Sequence, residues 1–310
     1  LSLTRYPMYA TLMANVANVV LNYMFIFGAW GAPAWGVEGA AIGTLASRII
    51  MVSFLWYVMS THVKARAYVT HLQIWQLSRQ ILRKILRLGM PSAMQMFFEV
   101  AIFTAAIWLS GVLGKNPQAA NQIALNLSSM TFMVAMGFSV VAMIRVGNQK
   151  GKSAFRELRR IAFSIFLLSG VGSVLFALGF LLFRDSLPYL YLDIEDVTQL
   201  ADNMEVLRLS SQILLIAAIF QISDSIQVVA LGALRGLQDV FLPTVYTFIS
   251  YWLIGFPLSY YLGMYTDLGS TGIWIGVLAG LTAAAILLIW RFNTLSNRLI
   301  LSQEESLKTS

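Results

Sequence analysis

The chain has 310 residues, 58% of them hydrophobic and only 11% charged, with a mean hydropathy of +0.73 and a net charge of +7. A water-soluble domain carries roughly 25% charged residues, so this composition excludes an ordinary soluble enzyme. The absence of cysteine also excludes a disulfide framework, a thiolate metal site and a cysteine nucleophile.

The apolar residues gather into stretches of about 20, the length that spans roughly 30 Å of hydrocarbon at about 1.5 Å per residue. Eight membrane-spanning helices are expected, at about 7 to 28, 36 to 59, 89 to 113, 121 to 145, 161 to 183, 205 to 235, 239 to 263 and 269 to 291. The fold class is therefore all-α, a polytopic helical membrane protein. The first stretch is too long for a signal peptide and lacks a charged n-region and a small-residue cleavage site.

The connection between the second and third spans carries Lys64, Arg66, Arg79, Arg83, Lys84 and Arg87, and the one near position 150 carries Lys150, Lys152, Arg156, Arg159 and Arg160. Positive loops mark the cytoplasmic side. The loop from 184 to 204, with Asp185, Asp193, Glu195, Asp196 and Asp202, is expected outside. With Arg5 at the front and Arg291, Arg298 and Lys308 at the back, both termini of this chain are expected in the cytoplasm. The basic surplus orients helices, so no nucleic-acid partner is expected. Residues 72 to 88 set Leu77, Ile81, Leu82 and Ile85 on one helical face, which suits either a helix lying in the cytoplasmic interface or a solvated linker helix.

The chain repeats itself. Gly36-Val-Glu-Gly39-Ala-Ala-Ile42-Gly43 opens the second span and Gly269-Ser-Thr-Gly272-Ile-Trp-Ile275-Gly276 opens the eighth, at an offset of 233 residues. The preceding spans begin with Pro7 and Pro243 and end with Gly28 and Gly263. A parallel duplication of transporter halves has this signature. On that reading the later copy holds six spans, the earlier copy only its last two, and four more are expected upstream. The small-xxx-small spacings also serve simply to let helices approach closely in lipid.

Few charges lie inside the spans. Glu99 sits ten residues into the third, about 15 Å from its end by helical rise. Asp224 lies at a similar depth in the sixth, among Gln221, Ser223, Ser225 and Gln227. An ionised carboxylate at mid-bilayer costs several kcal/mol, so it faces a polar cavity, pairs, or carries a proton. Each outcome makes Glu99 and Asp224 candidates for binding a cation or a proton, with Gln221, Ser223 and Gln227 available to ligate the ion or bond a substrate. Arg48 fits a structural role, paired with an acid or snorkelling to an interface. Asn15, Asn18 and Asn22 share one face of the first span, either as interhelical glue or as cavity lining. Pro257 is expected to kink the seventh.

Enzymatic readings find no support. Gly147-Asn-Gln-Lys150-Gly151-Lys152 lacks the spacing of a phosphate loop, and His62 and His71 have no acidic or cysteine partner at metal-ligand spacing.

Several segments together resemble the multidrug and toxic compound extrusion (MATE) transporters, in particular the NorM-type branch. They are Asn18-Val-Val-Leu-Asn22-Tyr23-Met-Phe-Ile26-Phe-Gly28, Gly36-Val-Glu-Gly39, Phe97-Phe-Glu99-Val, Asn121-Gln-Ile-Ala-Leu-Asn126, Ile144-Arg145-Val-Gly147, and Ile222-Ser-Asp224-Ser-Ile-Gln227 through Leu234-Arg235-Gly236-Leu-Gln-Asp239. The resemblance implies a two-lobed, twelve-helix exporter of the bacterial inner membrane that exchanges sodium ions or protons for cationic, amphipathic drugs, with no other cofactor and no obligate protein partner. It implies that residues 1–63 are the last two helices of the amino-terminal lobe, 64–88 a basic linker, 89–296 the six-helix carboxyl-terminal lobe and 297–310 a cytoplasmic tail. It also implies that Glu99 and Asp224 form the cation site, which is the sodium site if sodium couples. Asn18 and Asn22 match asparagines that stand beside an amino-terminal-lobe acid. Some relatives carry a tyrosine where this chain has Phe220, so a hydroxyl ligand is lost. Two other readings follow from the same residues: a lipid or lipid-linked oligosaccharide flippase of the same superfamily, and a fragment that does not transport.

Overall fold

A computed structural model describes residues 5–62, 78–192 and 200–309. Eight helices in it are long and apolar enough to cross a membrane. They are α1 (Arg5–Phe27), α2 (Val37–Thr61), α3 (Arg79–Leu113), α4 (Lys115–Gly151), α5 (Phe155–Phe183), α6 (Leu200–Gly236), α7 (Phe241–Met264) and α8 (Gly269–Thr309). No strand occurs among the described residues. Backbone polar groups have no water to bond in hydrocarbon, so the helix, which pairs them internally, is what an apolar chain of this kind forms.

Two boundaries differ from the sequence expectation. The third span begins at Arg79, and residues 79–88 continue into it without a break, so that part of the expected interfacial segment is the first turns of α3. The remainder, 72–77, lies outside the described residues, as do Lys64, Arg66, His71 and the acids Asp193, Glu195 and Asp196. The segment from 297, expected as a tail, continues α8 as helix to Thr309. Nothing between 291 and 305 breaks a helix, and Arg156 pairs with Glu304 at 2.6 Å while Arg159 bonds Asn293 and Asn297, so α5 holds the extension.

The chain divides into two compact units, Leu1–Arg79 and Gln80–Ser310. In the first, α1 packs on α2 through a glycine seam: a Cβ on Gly39 would lie 2.3 Å from the Phe25 carbonyl oxygen, and one on Gly43 would lie 2.4 Å from Asn22 Oδ1. Asn18 donates across the seam to Thr44 Oγ1 and Ser47 Oγ at 3.2 and 3.4 Å.

The second unit is built around α6, which has 67% of its apolar window buried against 22% for α3. Its glycines permit this. A Cβ on Gly232 would lie 2.3 Å from the Ser139 carbonyl oxygen and one on Gly236 2.6 Å from that of Met143, so any larger residue would push α6 off α4. The turn after α6 is pinned from three helices. Lys150 of α4 donates to the Leu237 carbonyl, Gln95 of α3 to that of Val240, and Arg291 of α8 forms a 2.8 Å ion pair with Asp239. Arg291, expected as one of the terminal charges that set orientation, is thus a half-buried partner of this turn.

The α7–α8 seam repeats the α1–α2 seam. A Cβ on Gly272 would lie 2.5 Å from the Leu262 carbonyl oxygen and one on Gly276 2.2 Å from the Ser259 nitrogen. Phe25 and Leu262, like Asn22 and Ser259, are 237 residues apart, while the seam glycines are 233 apart. The four-residue slip falls in the connection, which is longer between α1 and α2 than between α7 and α8. In α7 the expected irregularity appears as a π-helical segment, Ile249–Gly255, directly before Pro257. A proline at 257 cannot donate to the Leu253 carbonyl, and its ring crowds that carbonyl, so the helix widens ahead of it.

Candidate functional site: two carboxyls in one cavity

Glu99 and Asp224 reach the same cavity from different helices. It has a volume of about 350 Å³ and is walled by α3, α4 and α6, with Phe103, Phe132, Phe220, Gln122 and Asn126 among its lining residues. Both acids are buried, Glu99 at 9% exposure and Asp224 at 4%. Neither Glu99 Oε1 nor Asp224 Oδ1 has a hydrogen-bond partner. Buried polar atoms are ordinarily paired, so two residues that line one cavity and each hold an unpartnered carboxyl oxygen form a poorly solvated acceptor site.

Helical spacing explains the convergence. Met96, Glu99, Val100, Phe103, Thr104 and Ile107 recur at three and four residues along α3, and Gln122, Leu125, Asn126, Ser129 and Phe132 do so along α4. Aromatic packing closes one side: Phe220 lies edge-on to Phe103 and Trp274, with centroids 5.9 and 5.3 Å apart, and the Trp274 indole donates to Asn121 Oδ1 at 2.8 Å. Phe220 is therefore a fully packed wall rather than an ion ligand.

Two groups that sequence reasoning passed over stand close by. Arg235 donates to Gln95 Oε1 at 3.1 Å and lies within electrostatic reach of Glu99, which is one turn beyond Gln95 on α3. Tyr251, in the π-helical segment, is 1% exposed; its hydroxyl has no partner and lies within electrostatic reach of both carboxyls. A chain with Phe220 thus still brings a phenol near the pair, from α7 instead of α6. An isolated tyrosine in an apolar stretch gives no sign of this.

The other residues singled out from the sequence are placed as follows. Gln221 is buried, with both amide atoms unpartnered, and lines a separate small niche on Asp224. Ser223 shares a 2.9 Å hydrogen bond with Thr282 of α8 and does not line the cavity. Gln227 is fully buried with an unpartnered amide and is likewise not a lining residue. Asn18 and Asn22 belong to the first unit, where Asn22 donates to Asn18 Oδ1 at 3.4 Å and Asn18 bridges α1 to α2. No cluster of three or more acidic or histidine side chains occurs among the described residues, so a bound ion would rest on two acids supplemented by neutral oxygens.

The MatE family model matches residues 91–261. The multidrug resistance protein NorM of Aliivibrio fischeri is 36% identical over 298 residues, covering 94% of this chain and 62% of that protein. The multidrug resistance protein MdtK of Yersinia pestis is 34% identical over 311 residues, covering 96% of this chain and 64% of its own length. The chain thus spans a little over three fifths of the length of these relatives. Among solved structures, a MATE protein in the bent conformation superposes with a TM-score of 0.79 at 20% identity, covering 95% of this chain and 62% of its own. An outward-facing multidrug resistance MATE family transporter superposes with a TM-score of 0.78 at 22% identity, over 94% of this chain and 62% of its own.

Proposed function

The chain belongs to the MatE family, a family of transporters and not of enzymes, and on that premise we propose that it is part of a secondary multidrug antiporter, exchanging sodium ions or protons for cationic, amphipathic compounds. The single observation that carries this reading is the pair of buried, unpartnered carboxyls on one cavity of about 350 Å³. That volume falls in the range of small-molecule sites, roughly 300–1,000 Å³.

The mechanism is competition for one charge. A lipophilic cation rests its apolar body on Phe103, Phe132 and Phe220 and its charge near Glu99 and Asp224. A sodium ion or proton arriving at the same carboxyls removes the attraction and releases the compound. Because poorly solvated charges interact far more strongly than charges in water, each cargo strongly disfavours the other, which couples their gradients. Arg235, held by Gln95 near Glu99, limits how much positive charge the site holds at once. Alternating access then carries the two cargoes in opposite directions across the bacterial inner membrane, with both termini of this chain in the cytoplasm.

The test uses efflux of ethidium and tetraphenylphosphonium from cells expressing the protein. Glu99→Gln and Asp224→Asn are expected to abolish export while the protein still reaches the membrane. Export at the parent's rate by both variants would refute the reading.

A further inference from the structure

The amino-terminal half of α6, on the side expected outside, carries an exposed stripe turned away from the cavity. Met204, Arg208, Gln212, Leu215 and Ile219 recur at three and four residues, and all five are exposed. Their direction follows from two side-chain bonds further along the same helix. Ser225 shares a 2.6 Å hydrogen bond with Ser169 of α5, and Ser223 a 2.9 Å one with Thr282 of α8. At about 100° per residue the stripe falls between those two contacts and roughly opposite Phe220 and Asp224, which line the cavity. It is therefore the floor of a groove between α5 and α8. The two walls meet at the other end, where Arg159 of α5 bonds Asn293 and Asn297 of α8 and Phe166 lies edge-on to Phe292 with centroids 5.5 Å apart.

At the head of this groove is a space of about 750 Å³, lined by Arg184 and Asp185 at the end of α5 and by Glu205, Arg208, Gln212 and Leu215 of α6 among others. Two guanidiniums and two carboxylates leave it with no net charge. Arg184 Nε and Asp185 Oδ2 are 3.6 Å apart, a loose pair, and among the described residues no ion pair engages Arg208 or Glu205. Each carboxylate has one oxygen held by a neutral donor, Asp185 Oδ1 by Ser211 and Glu205 Oε2 by Asn116. The acids are thus oriented without being neutralised. The Ser169–Ser225 contact fixes their depth: at about 1.5 Å per residue, Arg184 stands about 22 Å beyond Ser169 and Arg208 about 25 Å beyond Ser225, in the same direction. With Asp224 near mid-bilayer, hydrocarbon ends at about 15 Å and the headgroups at about 22 Å. Both arginines therefore stand at headgroup depth, their long side chains covering the last few ångströms. Leu215 and Ile219 lie below them, level with the acyl chains.

We propose that this groove holds one phospholipid with a zwitterionic, primary-ammonium headgroup, its phosphate on Arg184 and Arg208, its ammonium on Asp185 and Glu205, and an acyl chain along Leu215 and Ile219. Guanidinium forks match phosphate oxygens with two parallel hydrogen bonds. A primary ammonium donates to the open carboxylate oxygens, whereas a trimethylammonium has no proton to give. An uncharged glycerol headgroup would satisfy the arginines and leave both carboxylates without a cation. Water alone could solvate the four charges one by one, but it does not account for the apolar stripe that continues beneath them. Bound there, the lipid fills the interval between α5 and α8 and takes no part in the charge exchange at Glu99 and Asp224.

The measurement is native mass spectrometry of the full chain released from micelles that contain equal amounts of dioleoyl-phosphatidylethanolamine, -phosphatidylcholine and -phosphatidylglycerol. The parent is expected to retain one phosphatidylethanolamine at least about fivefold more often than either other lipid. Arg208→Gln and Asp185→Asn, both changes of exposed side chains, should each bring that preference to within about twofold while circular dichroism shows unchanged helix content. Asp185→Asn should also raise retained phosphatidylglycerol, whose phosphate keeps its two arginines. Arg160→Gln, an exposed arginine at the opposite end of α5, should leave the parent's preference intact. Equal retention of the three lipids by the parent would overturn the proposal, as would a phosphatidylethanolamine preference that survives Arg208→Gln. A parent that prefers phosphatidylglycerol, and loses it in Arg208→Gln, would overturn the zwitterionic assignment in favour of an anionic lipid.

Discussion

The hairpins α1–α2 and α7–α8 are built on one plan and carry different chemistry. In both, a glycine opposes a backbone carbonyl at the start of the seam: Gly39 against Phe25 and Gly272 against Leu262. One turn on they part. Asn22 and Ser47 in the first hairpin take the seam positions of Ser259 and Gly280 in the second, and Asn18 takes that of Gly255. Where Asn18 donates to Ser47, Gly255 and Gly280 touch through their backbones. The seam packing is thus common to the two hairpins, whereas the side chains differ: an asparagine bridges to hydroxyls in one, and in the other Ser259 donates to the Ile273 carbonyl at 2.9 Å beside a close glycine–glycine approach next to a π-helical segment.

The largest effect on the two seams is expected at Gly276. Its Cβ would meet the Ser259 backbone, which cannot swing away, so Gly276→Val should cost at least about 3 kcal/mol and lower the melting temperature of the solubilised chain sharply. Next is the link that α8 makes to α4. Trp274→Phe leaves the buried Asn121 carboxamide without its indole donor and should cost about 1–3 kcal/mol by the same measurement. Smaller again is Gly43→Ala, because its closest neighbour is the Asn22 side chain, which can rotate. About 1–2 kcal/mol is expected, part of it recovered in the Gly43→Ala, Asn22→Ala double variant. Equal costs for Gly43→Ala and Gly276→Ala would contradict the distinction between the seams. The smallest effect should come from Pro257→Ala, which restores a donor for the Leu253 carbonyl; a change within about 1 kcal/mol is expected, with greater amide protection across Ile249–Gly255 in hydrogen exchange.

Much of the site could be read from the sequence because two carboxyls in apolar helices are costly and so stand out. Glu99 and Asp224 were visible for that reason, and the glycine repeat showed the duplicated hairpin. Gln122, Asn126 and Ser129 carried a fainter signal: polar residues at helical spacing inside α4, whose face cannot be assigned without knowing what packs on it. Arg235 stands in a motif at a helix end, and its role depends on Gln95, 140 residues away in the chain. Ser223 and Gln227 show the converse limit. They neighbour Asp224 along α6, but helical rotation turns the Ser223 hydroxyl to Thr282 and keeps Gln227 out of the cavity lining. Sequence proximity marked a candidate ligand set of which only part shares a space.

The proposed competition between a drug and a small cation at Glu99 and Asp224 can be measured directly. The chain contains no cysteine, so a single Ser129→Cys in the cavity wall provides a specific reporter. Tetraphenylphosphonium is expected to protect this cysteine from a water-soluble maleimide, and added sodium or a lowered pH to restore labelling, with protection lost when Glu99→Gln and Asp224→Asn are introduced together. Protection that neither sodium nor acid reverses, or that survives loss of both carboxylates, would contradict the account.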